Sequence, residues 1–327
     1  MDTTRPARSE YLALIEDYIS RFDLPCRPAR LYEPIRYSME EGGKRLRPML
    51  LLLAHAIYSE AVAEALPAAA AVEVFHNFTL LHDDIMDHSA MRRGKPSVAA
   101  RWGDNVAILS GDAMLITAYN LLCDTPGEQL RRILKIFNDM AIGVCEGQQY
   151  DMDFETRDKV SVVEYMRMIE LKTSVLLAGA AMTGALLGGA TEEEGKKLYR
   201  FAIELGLAFQ LQDDLLDSYG DEQLGKPIGG DIVEGKMTYL MITAMSRATE
   251  EQRRVLRTTH TDASLSRDEK IARVRAVYDA LDMPRLTEQQ ISLRFERALA
   301  QLATLGLPEA RTAPLREFAE GLMGRKK

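Results

Sequence analysis

Sustained alternation of apolar and polar residues is absent from this 327-residue chain, which argues against a half-buried sheet as its framework. Helix signals run along the sequence instead. "PMLLLLAHAIYSE" opens on Pro48, a residue suited to a first helical turn. A second apolar helix passes through "AVEVFHNFTLLHDDIMD". Thr191 and Glu194 have capping-box spacing and predict a helix reaching Asp217; Ser266 with Glu269 and Thr287 with Gln290 repeat that signature. Loops are predicted at Asp124–Glu128 and Gly220–Asp231. "VLLAGAAMTGALLGGA", Val175–Ala190, reads as a buried helix, and no Gly/Ser linker divides the chain. The expectation is a single all-α domain over residues 1–327, with long central helices wrapped by others.

Charge narrows the function classes. Forty-one basic against 49 acidic residues leave a net −8, so no general affinity for nucleic acid or anionic membrane is expected. The cysteines, Cys26, Cys123 and Cys145, are odd in number and show neither metal spacing nor a disulfide framework. They suit a reducing cytoplasm, and each reads as a small buried hydrophobe. The first ten residues lack the apolar core of a signal peptide. No uninterrupted apolar run approaches the roughly 20 residues that span a bilayer, so a cytoplasmic protein without stable membrane insertion is expected.

The chemistry is concentrated in "LLHDDIMDHSAMRRG". Asp83 and Asp87, four residues apart, share a helix face, while Asp84 turns about 100° aside. A carboxylate pair on an apolar helix is costly unless a cation neutralises it, and all-oxygen ligation suits Mg²⁺ shared with phosphate oxygens. The alternative is a solvated acidic helix end. The pattern recurs in "FQLQDDLLDSYGD", with Asp213, Asp214 and Asp217, and two such clusters are poorly explained as surface acidity. If the two helices face each other, they form a cage for several Mg²⁺ ions and a diphosphate. "GGKRLRP" places Lys44, Arg45 and Arg47 at a helix start, where backbone N–H groups and the dipole already attract anions. Together with Arg92 and Arg93 it predicts a second, metal-free diphosphate site.

This ordered set resembles the trans-isoprenyl diphosphate synthases, the polyprenyl synthetase family. "GGKRLRP", "HNFTLLHDDIMD", "RRG", "LKT", "FQLQDDLLD" and "GKPIGGDIVEGKMT" carry the resemblance from about Gly42 to Lys236. Beyond about residue 245 only helical periodicity remains. The resemblance implies an isoprenoid-synthase-like helical bundle around a substrate cavity, three Mg²⁺ per active site, and a homodimer. By it Asp83, Asp87 and Asp213 are metal ligands, and Asp84 and Asp217 are flanking ligands or their supports. Arg92, Lys172 and Lys236, with Lys226, would hold the allylic diphosphate, and Lys44, Arg47, His76 and Arg93 would hold isopentenyl diphosphate. Thr173 and Gln210 would present oxygens to the developing carbocation. Gly147, Gln148 and Asp151 match a segment read as structural. The plain alternatives are a snorkelling lysine for Lys172 and a core histidine for His76. His82 and His88 are read as local structure.

The implied reaction is Mg²⁺-assisted ionisation of an allylic diphosphate, attack by the double bond of isopentenyl diphosphate, and proton loss. A class I terpene cyclase is the nearest rival, but it needs no second anion site. A phosphohydrolase built on His82 and Asp83 leaves the second aspartate cluster unexplained. A silent regulatory subunit should have lost the clusters that are intact here. Product length rests on the helix ahead of Asp83. Geometry lines the path with Thr79 and then Phe75, about 40° and 80° from Asp83, with Phe78 about 140° away. Family precedent points to Phe78. On either reading an aromatic blocks the path, which favours geranylgeranyl diphosphate with farnesyl diphosphate as intermediate or co-product.

Overall fold

A computed structural model describes residues 8–40, 42–157, 159–220 and 228–324. Their backbone is almost wholly helical, as the sequence predicts, and sorts into two compact units.

The first unit comprises Met1–Asn138, Gly179–Tyr199 and Leu307–Leu315. Its helices begin with α1 (Arg8–Ser20), α2 (Ala29–Glu40), α3 (Leu46–Ala56) and α4 (Leu66–Met86). Then follow α5 (Val98–Trp102), α6 (Asp104–Cys123) and the start of α7 (Gly127–Glu155). Helix α4 is buried from Ala68 to Phe75 and packs on α1, α3 and α6. Its alanine run keeps that neighbourhood close, and only its last three turns open toward solvent. Gly184 explains how the apolar stretch from Gly179 onward packs here: a Cβ at that position would lie 2.0 Å from the Leu51 carbonyl oxygen of α3. The only strands among the described residues form a short hairpin, β1 (Met91–Arg92) with β2 (Lys95–Pro96). Arg93 and Gly94 both have positive φ, 51° and 78°, the tight-turn conformation that joins twisted strands. Four residues are too few to show as alternation in sequence.

The second unit comprises Asp139–Ala178, Arg200–Gly306 and Arg316–Lys327. It takes in the rest of α7, then α8 (Val162–Ile169), a π-helical turn (Glu170–Ser174) and the start of α9 (Val175–Leu187). Ser161 and Glu164 form a full capping box at the start of α8. The unit continues with α10 (Glu192–Tyr219) from Arg200, α11 (Gly230–Glu234), α12 (Tyr239–Arg247) and α13 (Glu250–Thr258). After these come α14 (Arg267–Ala280), α15 (Met283–Ala303) and the end of α16 (Glu309–Met323). One core gathers Phe154, Tyr165, Ile169, Leu207, Leu211 and Tyr239. A second, on α11 to α15, centres on Leu240, Val274 and Tyr278.

Two expectations need correction. Thr287 caps nothing: it is buried inside α15, its hydroxyl donating to the Met283 carbonyl. The helix starts earlier because Asp282 takes the left-handed conformation and Pro284 follows in the first turn. All three cysteines are exposed, Cys123 at the last turn of α6 and Cys145 on the outer side of α7. Asp104–Cys123 and Val162–Leu187 are long and apolar enough by length and composition to cross a membrane, the second largely buried within the protein, but charged residues interrupt both, so the sequence reading of no uninterrupted apolar span stands. The capping boxes at Thr191 and Ser266 and the buried helix from Val175 match the sequence reading; the loop predicted at Asp124–Glu128 gives way to α7 at Gly127, and most of the loop predicted at Gly220–Asp231 lies outside the described residues.

Candidate active site

The basic cluster is assembled in the first unit by backbone that few residues can adopt. Gly42 and Gly43 have φ of +70° and +149°, and a Cβ on Gly43 would lie 3.1 Å from the Arg93 guanidinium. Arg93 donates to the Gly42 carbonyl, so "GGKRLRP" and "RRG" meet although 51 residues separate that pair. Arg47 Nη1 donates to His76 Nε2 at 2.9 Å. A guanidinium has no acceptor, so Nε2 must accept and the ring proton sits on Nδ1. Burial, reinforced by Arg47, Arg93, Arg92 and Arg45, holds this imidazole far below its ordinary range and hence neutral. Lys44 stands exposed beside this group in sequence.

Arg45, the fourth member of the basic stretch, turns inward. It is 1% exposed and bonds Glu73 at 2.7 Å, Glu16 at 2.9 Å and the Met39 carbonyl at 2.8 Å. It ties α1, α2 and α4 to the turn that presents Lys44 and Arg47, and is not available to a ligand.

At the first aspartate cluster, Asp83 and Asp87 are half-buried at the end of α4 while Asp84 is buried. Arg92 bonds Asp84 at 2.5 and 2.9 Å and Asp83 at 3.2 Å. Burial still holds Asp84 above the usual carboxylate range, Asp83 and Asp87 adding to it against the pull of Arg92. Below the cluster, Phe78 meets His82 edge-on at 4.7 Å between ring centroids and Phe75 at a tilt at 5.5 Å, and Phe75 meets Phe137 edge-on at 5.2 Å. Thr79 donates to the His76 carbonyl. A Cβ on Gly111 of α6 would lie 2.4 Å from the His82 ring and 3.3 Å from Phe78, so the glycine makes room for both.

The second unit carries the other predicted residues. The π-helical turn is gripped by two glycines: a Cβ on Gly147 would lie 2.2 Å from the Lys172 nitrogen, and one on Gly206 would lie 2.6 Å from Ser174 Oγ. Lys172 Nζ donates to Asp151 at 2.6 Å. Thr173 donates to Gln210 Oε1 at 3.0 Å, and Gln210 Nε2 donates to Asp214 at 3.2 Å. Asp214 is buried and also accepts from Tyr165 and the Tyr239 backbone; burial pushes its carboxyl up to about 6. Asp217 accepts from the Asp231 backbone at 3.0 Å. Burial and the proximity of Asp217 hold the Asp231 carboxyl above its ordinary range. Lys236 pairs with Glu234 at 3.3 Å. Lys226 lies outside the described residues.

A family model described as polyprenyl synthetase matches residues 28–281. The chain belongs to the polyprenyl synthetase family. It is 45% identical over 227 residues to the geranylgeranyl diphosphate synthase of Methanosarcina mazei, covering 68% of this chain and 70% of that one. It is 40% identical over 243 residues to the geranylfarnesyl diphosphate synthase of Aeropyrum pernix, covering 72% and 76%. A crystal structure of a geranylgeranyl pyrophosphate synthase, 40% identical, matches over 100% of both chains with a TM-score of 0.91. The protein is therefore an all-α trans-prenyltransferase of isoprenoid biosynthesis.

In this polyprenyl synthetase, residues that spacing did not single out support those that it did. Tyr165, Glu73 and Glu16 belong to no recurring motif, and only their contacts reveal them, while Asp214 was marked as part of the second aspartate cluster and only its contacts show that it supports Gln210. Asp151 lay in a stretch read as structural, and its ion pair with Lys172 is what the segment supplies. Among the described residues, no three His, Cys, Asp or Glu side chains form a group that could hold a metal ion alone. The donors at both aspartate clusters are carboxylate oxygens, which fit Mg²⁺ that retains water and shares phosphate oxygens.

Proposed function

We propose that this synthetase condenses isopentenyl diphosphate with an allylic diphosphate, head to tail and trans, and that its main product is geranylgeranyl diphosphate. The observation that carries the two-substrate reading is the basic cluster of Arg47, neutral His76 and Arg93. It needs no metal and supplies the second anion site that a terpene cyclase lacks.

Lys44, Arg47, His76 and Arg93 hold isopentenyl diphosphate in this scheme. Arg92, Lys172, Lys236 and Lys226 hold the allylic diphosphate. Asp83, Asp87, Asp213 and Asp217 are the ligands for Mg²⁺, three ions per site, and Asp84 steers Arg92. Bound Mg²⁺ supplies charge neutralisation for the leaving diphosphate. Thr173 and Gln210 turn oxygen toward the allylic cation, and the released diphosphate takes the proton. Phe75, Phe78 and Thr79 set product length. The geranylgeranyl and geranylfarnesyl synthases among its relatives support a product near C20. A single catalytic domain spanning residues 1–327 and a cytoplasmic location without stable membrane insertion complete the reading. The exposed Ile108, Leu109 and Ile116 of α6 support a homodimer.

The test is incubation with labelled isopentenyl diphosphate and C5, C10 or C15 allylic starters, sizing the products. Geranylgeranyl diphosphate is expected to dominate. Arg47→Ala should raise KM for isopentenyl diphosphate far more than for the starter; equal effects refute the assignment of that site.

A further inference from the structure

The second aspartate cluster contains one member turned away from any ligand. Asp214 is 3% exposed, and three donors converge on it: the Tyr165 hydroxyl, the Tyr239 backbone N–H and the Gln210 amide. Tyr165 is itself 2% exposed. A carboxylate surrounded in this way accepts from every side, which settles how Gln210 must be oriented. Its NH₂ faces Asp214, so its carbonyl oxygen faces Thr173. The Thr173 hydroxyl must then donate its proton to Gln210. With the proton committed, the remaining lone pairs on Thr173 are the outward part of the group.

We propose that Tyr165 and Asp214 are positioning residues that, through Gln210, lock the Thr173 hydroxyl with its lone pairs toward the allylic cation. The inference rests on the assignment of Thr173 to the cation. Reversed polarity has a clear chemical consequence. If residue 214 donates, Gln210 can flip its amide, Thr173 then accepts from it, and the hydroxyl hydrogen points outward. A positive end of a dipole would then face a developing positive charge. The arrangement is fixed before substrate arrives, so no reorganisation is needed during ionisation. Tyr165 contributes by holding the carboxylate rotamer: it is the fourth residue of α8, directly after Glu164 of the capping box that starts that helix.

The experiment is a double-mutant cycle on the full-length enzyme, with Mg²⁺ and both substrates. Asp214→Asn, nearly isosteric, is combined with Thr173→Val, which keeps the shape and removes the hydroxyl. The relay predicts that Asp214→Asn lowers kcat about tenfold or more, the effect of one misdirected hydrogen bond. KM for either substrate should stay within about twofold. In the Thr173→Val background the same change should cost almost nothing further, because the group it orients is gone. A purely structural disturbance would cost the same factor in both backgrounds, and that outcome overturns the relay. Tyr165→Phe, run through the same cycle, decides the matter where Asp214→Asn does not fold. It should lower kcat only when Thr173 is present. Full kcat in Thr173→Val overturns the assignment of Thr173 and the relay with it. A wild-type enzyme that forms no prenyl diphosphate overturns the proposed function itself.

Discussion

Burial and one hydrogen bond together set the charge of the basic cluster. Because Arg47 must donate, His76 is held as the neutral tautomer with its proton on Nδ1, and surrounding arginines oppose any second proton. Burial likewise lowers the affinity of His55 for a proton. The folded protein therefore binds fewer protons than the unfolded chain below the ordinary histidine range. Stability should be unaffected by these groups above about pH 6.5 and fall as pH drops below it, by up to about 1.4 kcal/mol per pH unit for each histidine. His76→Gln, which keeps an acceptor for Arg47, should flatten this acid limb in urea titrations. An unchanged limb would show that His76 takes a proton in the folded state. Phe78 offers a second residue-scale test. It lies between Phe75 and His82, about 7.5 Å along the helix from Asp83, with Phe75 at about 12 Å. Phe78→Ala should lengthen the products, and adding Phe75→Ala should lengthen them further. The fully buried Phe75 carries a stability cost of about 3–5 kcal/mol when truncated. A wild type making C30 or longer, or unchanged products in both variants, contradicts an aromatic floor.

Elements explain what single residues do not, and here the sequence was legible to different depths. Helices α4 and α10 could be read from apolar periodicity and from the Thr191–Glu194 box, because those signals are local. The π-helical turn at Glu170–Ser174 could not. It depends on close backbone approach at Gly147 and Gly206, residues distant in sequence. "LKT" marked Lys172 and Thr173 by resemblance, but gave no reason for a turn wide enough to expose both. Arg45 was misleading for a related reason: a basic residue beside Lys44 and Arg47 looks like one of them, and only burial against Glu73 shows otherwise. Gly147→Ala tests the element-scale account. Within a helix, alanine is intrinsically favoured over glycine by about 1 kcal/mol. The added methyl, however, would fall 2.2 Å from the Lys172 nitrogen, so overlap should outweigh propensity. Lower thermal stability and reduced kcat are expected together. A variant as stable and active as wild type would mean that the turn is not held by this contact.

At the scale of the molecule, the question is whether one reaction uses both units. Asp83 and Asp87 belong to the first unit, Asp213 and Asp217 to the second. Among the described residues, neither set joins a group of three that could hold a metal ion unaided. In the proposed scheme Mg²⁺ would take further oxygens from a diphosphate. If both clusters serve the same diphosphate, removing either should be as damaging as losing the metal charge that stabilises its departure. Asp83→Ala and Asp213→Ala should each lower turnover by more than about 10²-fold, or several kcal/mol of transition-state stabilisation. EDTA should abolish activity, and added Mg²⁺ should restore it in the wild type. Combining the two substitutions should cost much less than the product of the single effects, since groups that act as a unit are strongly non-additive. The carboxylates chosen are half-buried at helix ends rather than in a core, so folding can be checked independently by circular dichroism. Full turnover in the Asp213 variant, with Asp83→Ala inactive, would confine metal chemistry to the first unit and leave the second aspartate cluster without a catalytic role.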